Sequence, residues 1–579
     1  MRTKRVFLLF AALMLLVTSA VSTAQEDEVW LNIAWPYTVP PTGHFNTFSA
    51  NGFVLSIYQD FSNPALAILK WGEGSYEGLL AESFGWTDDG NYQVTIKSGY
   101  SWSDGTPITA ADVVATFNLF RLRGDVVWQA VTGVEQVDDT TILFTLDEPS
   151  TLAERRILTS QVRPYSTYGD LADRAAAAFA AGEDTADLLT ELTEFRPESL
   201  VSGGPFVMDI DSITEANLTY SHNPGGFGGD TTAFNRVRLW NGETDTVTPL
   251  VANGDLWYIT HGIPPTTEQA FIDAGIDIIR APMGTGPALY FNHRIAALSR
   301  VEVRQAIAYA IDRDQNGFVS LGNSGVASEY MTGIGDSLAE SWLSDDVLGG
   351  LNSYGLDMSR DEALAEATAL LEGIGYTKGA DGVWLDDAGA PLAFELIFPQ
   401  EFADWSAAAE NATQQLNDFG FNITARGVPF QQQLEEVLAG NFEIAVRNWG
   451  VGDPIPAVNW LEPYNRYNGQ GELAGEQGAG MGFNDDVSYS GGEINLFDVT
   501  IASSEGTDRD AQAGLVAELA VSFNEILPIV PLWERYTNNA LNRQFLNAPP
   551  SDDPIYLNQT GLDAFMPYLV ITGGVTPAE

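Results

Sequence analysis

Residues whose types could do chemistry fall into a thin set and a richer one. The thin set is histidine: four in 579 residues, at His44, His222, His261 and His293. None stands in the His-Glu-x-x-His spacing of a zinc site, and a chain without cysteine has no thiolate ligands. No metal or other cofactor is expected. There is no glycine-rich phosphate loop ending in Gly-Lys-Ser or Gly-Lys-Thr, and no Gly-x-Ser-x-Gly elbow. With 78 acids, a carboxylate pair for glycoside hydrolysis has no distinguishing spacing. No catalytic residue is assigned.

The richer set is aromatic and amide. Asn448, Trp449 and Gly450 follow an apolar run at 442–446, with Trp460 and Tyr464 soon after. Trp533 and Tyr536 stand at and just beyond the end of another apolar run, 528–533. Near the start, Gly-His-Phe-Asn-Thr-Phe at 43–48 brings His44, Asn46 and Phe48 together, and Tyr58 follows. Flat rings stack on the apolar face of a pyranose or on a peptide side chain, and amides take the polar edges. These ten residues are the candidate ligand contacts, although any single tryptophan serves a core equally well.

The elements that must position them read as mixed α/β. A strand at 29–35 precedes the His44 segment, and prolines at 36–41 break it. Segments 79–86 and 92–96 flank an Asp-Asp-Gly-Asn turn, a hairpin signal. Thr109 and Asp112 have capping-box spacing, as do Ser299 and Glu302, and Ser359 and Glu362 can cap a helix ended at 373–375. The acids at 88–89, 104, 112 and 138–139 are expected as solvated turn residues and caps. One acid- and alanine-rich helix is expected over 171–193. Strands at 392–397, 421–425 and 442–446 alternate with helices at 407–419 and 431–438, and a further helix covers 509–521. Trp449 then sits at the carboxyl end of a strand, where open α/β sheets hold ligands. Residues 470–482 read as a glycine-rich surface loop, and Gly284–Gly286 before Pro287 as a hinge.

One stretch is more specific. In residues 289–313, a short strand feeds a helix that Asp312 and Arg313 close. Phe291, Asn292, Arg304, Gln305, Ala306, Ala310, Ile311, Asp312 and Arg313 there resemble the central signature of the family 5 extracytoplasmic solute-binding proteins. Those are the peptide, nickel and oligosaccharide receptors of ABC importers. Asp104–Pro107, Ser202–Phe206 and Asn223–Gly225 resemble further family elements in family order. The resemblance implies a periplasmic-binding-protein-like α/β fold of the cluster C type, with two lobes of mixed sheets and an extra inserted subdomain. It implies lobe I from 25–60, 200–285 and 529–579, an inserted domain at 61–199, and lobe II at 286–528. The His-Phe-Asn opening resembles that of oligosaccharide-binding members. Peptide-binding members commonly carry an acid soon after the tryptophan matched by Trp449. Here Gly450–Gly452 intervene before Asp453. The expected ligand is therefore a cello- or xylo-oligomer, with an oligopeptide or dipeptide as the alternative, a secreted glycoside-active enzyme ranking below both.

Composition bounds the setting. Arg2, Lys4 and Arg5, an apolar run at 6–17 and a small-x-small site at Ser22 and Ala24 read as a secretory signal peptide over 1–24. No cysteine follows for lipid attachment, so a periplasmic, cell-surface or secreted protein is expected, and the family resemblance implies a monomer serving ABC permease subunits. Net charge is −51, and loss of the three leader bases takes it to −54. Such a surface repels nucleic acid and anionic lipid.

Overall fold

The computed structural model describes residues 28–35, 44–49, 56–469, 478–558 and 563–578. The expected leader and most of the 470–482 loop lie outside them.

Three sheets organise the chain. The first has seven strands in the order Asp277–Ile279, Asn539–Leu541, Tyr258–Ile259, Trp30–Trp35, Arg236–Asn241, Asn217–His222 and Phe206–Asp209. Trp30–Trp35 runs parallel to Arg236–Asn241 and to Tyr258–Ile259, and the remaining pairs are antiparallel. This sheet therefore draws on the start, middle and end of the chain. The second sheet has five strands in the order Asn422–Val428, Ala393–Pro399, Ile444–Asn448, Pro287–Phe291 and Ile529–Pro531. Its first three strands are parallel and the last two pairings antiparallel. The third is a four-stranded antiparallel sheet, Ala81–Trp86, Tyr92–Ile96, Thr141–Leu146 and Val131–Gln136, inside the inserted region.

The second sheet has a large apolar core of its own, and the other two share one. The second carries Leu289, Phe291, Ile307, Leu396 and Val446, all fully buried. Its inner strands are covered on both faces, hence their near-continuous apolar runs, whereas the edge strand Asn422–Val428 is largely exposed or half-buried. The four-stranded sheet alternates instead: in Thr141–Leu146 the residues Ile142, Phe144 and Leu146 are buried. The helix Ala110–Leu122 covers that face, and its Thr109–Asp112 capping box forms as expected. Asp112 departs from the expectation of a solvated cap. It is 2% exposed, and accepts from the Trp102 indole at 3.0 Å and the Tyr165 amide at 2.7 Å. Its carboxylate holds three chain segments together.

The signature stretch differs in detail from its expected form. Ser299 does not cap a helix; its hydroxyl donates to the Ala296 carbonyl, and Val301–Ala310 begins after Arg300. Asp312 does not close that helix either. It caps the next one, Arg313–Leu321, by accepting from the Gln315 amide at 2.9 Å. Arg304 is 1% exposed and donates to the carbonyls of Leu298, Ile526 and Leu527. It thereby satisfies the end of the helix Arg509–Ile526. The Ser359–Glu362 box forms as expected. The acid- and alanine-rich stretch makes two helices, Tyr165–Ala181 and Ala186–Glu194, because Gly182 turns left-handed at φ 68°.

Candidate functional site: the cleft between the two lobes

The chain passes between the first and second sheets twice, through a two-stranded ribbon. Met283 donates its amide to Arg535 at 3.0 Å, Arg535 to Thr285 at 2.8 Å, and Leu532 to Pro287 at 3.0 Å. Ile529–Pro531 still pairs with Pro287–Phe291, so the return crossing starts after Pro531, a few residues later than the boundary drawn at 529. Gly284 has φ +62°, which a side chain rarely adopts, and its amide meets Glu534 Oε1 at 3.0 Å. The other Glu534 oxygen accepts from the Asp336 amide at 3.0 Å. Burial and the nearby Asp336 push the Glu534 carboxyl up to about 7.

Beside this ribbon lies a cavity of about 480 Å³. One wall comes from the seven-stranded side: Glu243, Thr244, His261 and Asn539. The other comes from the carboxyl ends of the three parallel strands of the second sheet. Ala393–Pro399 is followed by Phe402, Asp404 and Trp405, Asn422–Val428 by Phe430, and Ile444–Asn448 supplies Arg447 and Asn448. Ligands of open α/β sheets occupy this position. Phe402 packs against Trp405 edge-on at 5.5 Å and against Phe430 at 5.0 Å. All three rings are half-buried, so they present an aromatic face to the cavity.

The polar groups are already positioned. Arg447, 3% exposed, donates to Gln433 Oε1 at 2.8 Å and to the Tyr467 hydroxyl at 2.6 Å. Asn448 donates to the Gly450 carbonyl at 2.8 Å. Arg535 reaches Asp404 at 3.2 Å, joining the crossing ribbon to lobe II. His261 donates from Nε2 to the Gly242 carbonyl at 2.8 Å, and its Nδ1 has no hydrogen-bond partner among the described residues. Burial lowers its pKa to about 4, so it is neutral at pH 7.

Glu243 is the unusual acid. Burial first, then Asp404 and Glu401, push its carboxyl up to about 7 against the pull of Arg535. A folded-state pKa above the unfolded value of about 4.3 means the folded protein keeps a proton that the unfolded chain has lost. Stability from this group is full below about pH 4.3 and declines as pH rises towards 7. Glu534 and Asp336, the latter pushed to about 6, act in the same window and the same direction. Glu243→Gln is therefore expected to make urea midpoints fall less between pH 4.5 and 8 than in the parent. An unchanged slope would refute the assignment.

Of the ten candidate contacts, the structure brings Asn448 to this cavity. Trp449, Trp460, Tyr464 and Trp533 are each at most 1% exposed, in the core of lobe II. Their indoles are used internally: Trp449 donates to the Trp533 carbonyl, Trp460 to the Thr332 carbonyl and Trp533 to Asn316. Large rings next to a strand end gain most by packing beneath the sheet, and these did. Tyr536 lies half-buried on the Glu534 side of the ribbon and does not border the cavity. The opening segment faces the inserted domain. Asn46 donates to the Leu192 and Phe195 carbonyls at 2.6 and 3.1 Å, and His44 Nδ1 accepts from the Asn46 amide at 3.2 Å. Phe48 packs edge-on against Tyr168 at 5.0 Å, and the Tyr58 hydroxyl donates to the Ala34 carbonyl. The rings missed were Phe402, Trp405 and Phe430. Their signal was position: each follows a parallel strand within a few residues.

Asp453 is equally informative. It lies 3.4 Å from Arg155 of the inserted domain, which also forks onto Asp563. It is 7% exposed and already has its cationic partner.

Comparison with known proteins agrees with this architecture. The model of the bacterial extracellular solute-binding proteins, family 5 (middle), matches residues 75–472. A probable D,D-dipeptide-binding periplasmic protein of Escherichia coli K12 is 22% identical over 405 residues, which cover 68% of this chain and 69% of that protein. The periplasmic oligopeptide-binding protein of an oligopeptide ABC transporter from Thermotoga maritima superposes with a TM-score of 0.74 at 18% identity, covering 96% of this chain and all of the other. Its mannohexaose-bound form gives 0.71 at 18% identity, covering 95% and 99%. Among the described residues no helix is long and apolar enough to cross a membrane. With its two lobes and inserted subdomain, the chain belongs to the family 5 bacterial extracellular solute-binding proteins, the binding components of ABC transporters.

Proposed function

We propose that this receptor captures a cello- or xylo-oligosaccharide between its lobes, outside the cytoplasmic membrane, and delivers it to its permease without making or breaking a bond. The observation that carries the reading is the aromatic face of Phe402, Trp405 and Phe430 at the carboxyl ends of the parallel strands, opposite a polar wall across the cleft. A neutral sugar offers an apolar face to such rings and hydroxyls to His261, Asn448 and the charged edges. The occupied Asp453 supports it too, since a peptide amine would need an uncommitted acid. The inserted domain, at 61–199, moves in this scheme with lobe I (25–60, 200–285, 529–579), and lobe II (286–528) closes against them about the ribbon through Gly284 and Glu534. The protein acts as a monomer after loss of residues 1–24.

One observation favours the oligopeptide instead: Glu243, Glu401 and Asp404 share the cavity wall, and an amine could sit among them. Calorimetric titration with a panel of cello-oligomers, xylo-oligomers and peptides decides. Saturable heat with sugars alone is expected; tight binding of peptides alone would reverse the assignment. Trp405→Ala should weaken sugar binding by about 1–3 kcal/mol while leaving thermal unfolding nearly unchanged. An unaltered affinity would remove that ring from the site.

A further inference from the structure

A second cavity, of about 520 Å³, opens between the inserted region and lobe II. Residues 126–130 and the helix Thr151–Leu158 form one wall, and the helices Pro456–Tyr464 and Leu496–Ala502 the other. Val127, Leu152, Val458 and Ile501 give it an apolar lining. Leu152 packs there on a small cluster of Ile455, Ala457 and Val458, separate from the large cores. Polar contacts fix the two bodies around it. Ser150 Oγ donates to the Ser504 carbonyl at 3.1 Å, the Thr151 amide to Gly506 at 3.0 Å, and Arg155 meets Asp453.

Three guanidiniums border this space, and two are committed. Arg155 is held by Asp453 and Asp563, and Arg466 lies 3.6 Å from Glu462. Arg156 makes no ion pair among the described residues, and its Nε is buried with no hydrogen-bond partner there. A buried donor left unmade costs about 1–3 kcal/mol, and an apolar hollow of this size left to water is also unfavourable. Glu505, the remaining acid on the wall outside those pairs, is exposed to solvent.

We infer that this cavity, which meets the first one at Val451 and Arg466 but is walled by the inserted region, is a second binding site for an amphipathic monocarboxylate. The apolar body lies against Leu152, Val458 and Ile501, and the carboxylate accepts from the Arg156 guanidinium. A charge-assisted bond gives the Arg156 guanidinium the anionic partner it lacks among the described residues, and the alkyl chain covers the apolar wall. A free sugar would do neither, because its hydroxyls would face Val127 and Leu152.

The test titrates the full-length protein and its variants with decanoate, and separately with decanol. One-site saturable binding of decanoate is expected, weakened at least about tenfold by Arg156→Gln. Decanol should bind more weakly and ignore that substitution. Leu152→Trp, which puts a bulky ring on the apolar wall, should weaken decanoate binding, with melting curves reporting that each variant is folded. No saturable binding of decanoate overturns the proposal. So does decanoate binding that Arg156→Gln or Leu152→Trp leaves unchanged. A cello-oligomer titration of the same samples separates this site from the cleft: loss of sugar binding alone leaves the present inference standing.

Discussion

Replacing Arg155 with Met is expected to cost about 3–5 kcal/mol of stability and to weaken ligand binding as well. Arg155 is 1% exposed, Asp563 fully buried and Asp453 7% exposed. Burial opposes the guanidinium's charge, yet Asp453 and Asp563 together hold its pKa above the ordinary value. Asp563 further accepts from the Leu69 amide at 2.9 Å and the Trp71 indole at 3.2 Å. The cluster thus ties the inserted region, a C-terminal segment and lobe II at one point. Methionine matches the stem but leaves the fully buried Asp563, and Asp453 at the edge of the second cavity, without their cation, and that uncompensated charge dominates the loss. Arg155→Lys keeps the charge but not the fork onto Asp563, so it should be intermediate. The triple variant Arg155→Met, Asp453→Asn, Asp563→Asn should recover most of the stability, because no charge then remains buried. Urea unfolding of the set checks this. A Met variant within 1 kcal/mol of the parent would show that the carboxylates find water. The effect on binding has a separate origin: Asp453 stands on lobe II and Arg155 on the inserted region, so the pair favours the approach of the two bodies.

The scaffold was more legible in the sequence than the site, and the reason is physical. Strand and helix periods report burial of one face, so Ala393–Pro399, Ala403–Phe419, Asn422–Val428, Phe430–Leu438 and Ile444–Asn448 emerge in the expected order. Capping boxes at Thr109 and Ser359 are local and form, whereas Ser299 has the same spacing and does not. The arginine five residues later docks on the end of a helix more than 200 positions away, a tertiary demand no window of sequence contains. The cleft suffers most from this. Residue type marked the tryptophans as ligand contacts, but type does not say which side of a sheet a ring takes. Phe402, Trp405 and Phe430 belong to segments that only parallel pairing brings together. The same strand-end rule that pointed at Trp449 pointed equally at them, and Asn448 reached the cavity because it is the last residue of its strand.

Trp449→Ala should be mainly a folding mutation, with a loss of about 3–5 kcal/mol that exceeds its effect on ligand affinity. The ring is 1% exposed. Its indole nitrogen donates to the Trp533 carbonyl at 3.3 Å, and its backbone amide donates to Gly286 at 3.0 Å. Trp449 therefore braces both strands of the crossing ribbon from behind. Gly286 shows how little space there is: a Cβ at that position would lie 1.9 Å from the Trp533 carbonyl oxygen and 3.0 Å from the Trp449 indole nitrogen. Removing the ring leaves a hole beside the ribbon and frees a buried carbonyl, so both the transfer and the cavity terms act. The comparison with Trp405→Ala separates the two roles. The Trp405 variant should lose affinity and keep its urea midpoint; the Trp449 variant should lose its midpoint and, at temperatures where it remains folded, retain most of its ligand binding. A Trp449 variant as stable as the parent but unable to bind ligand would put that ring in contact with the ligand, and would mean that the lobes open far enough on binding to uncover it.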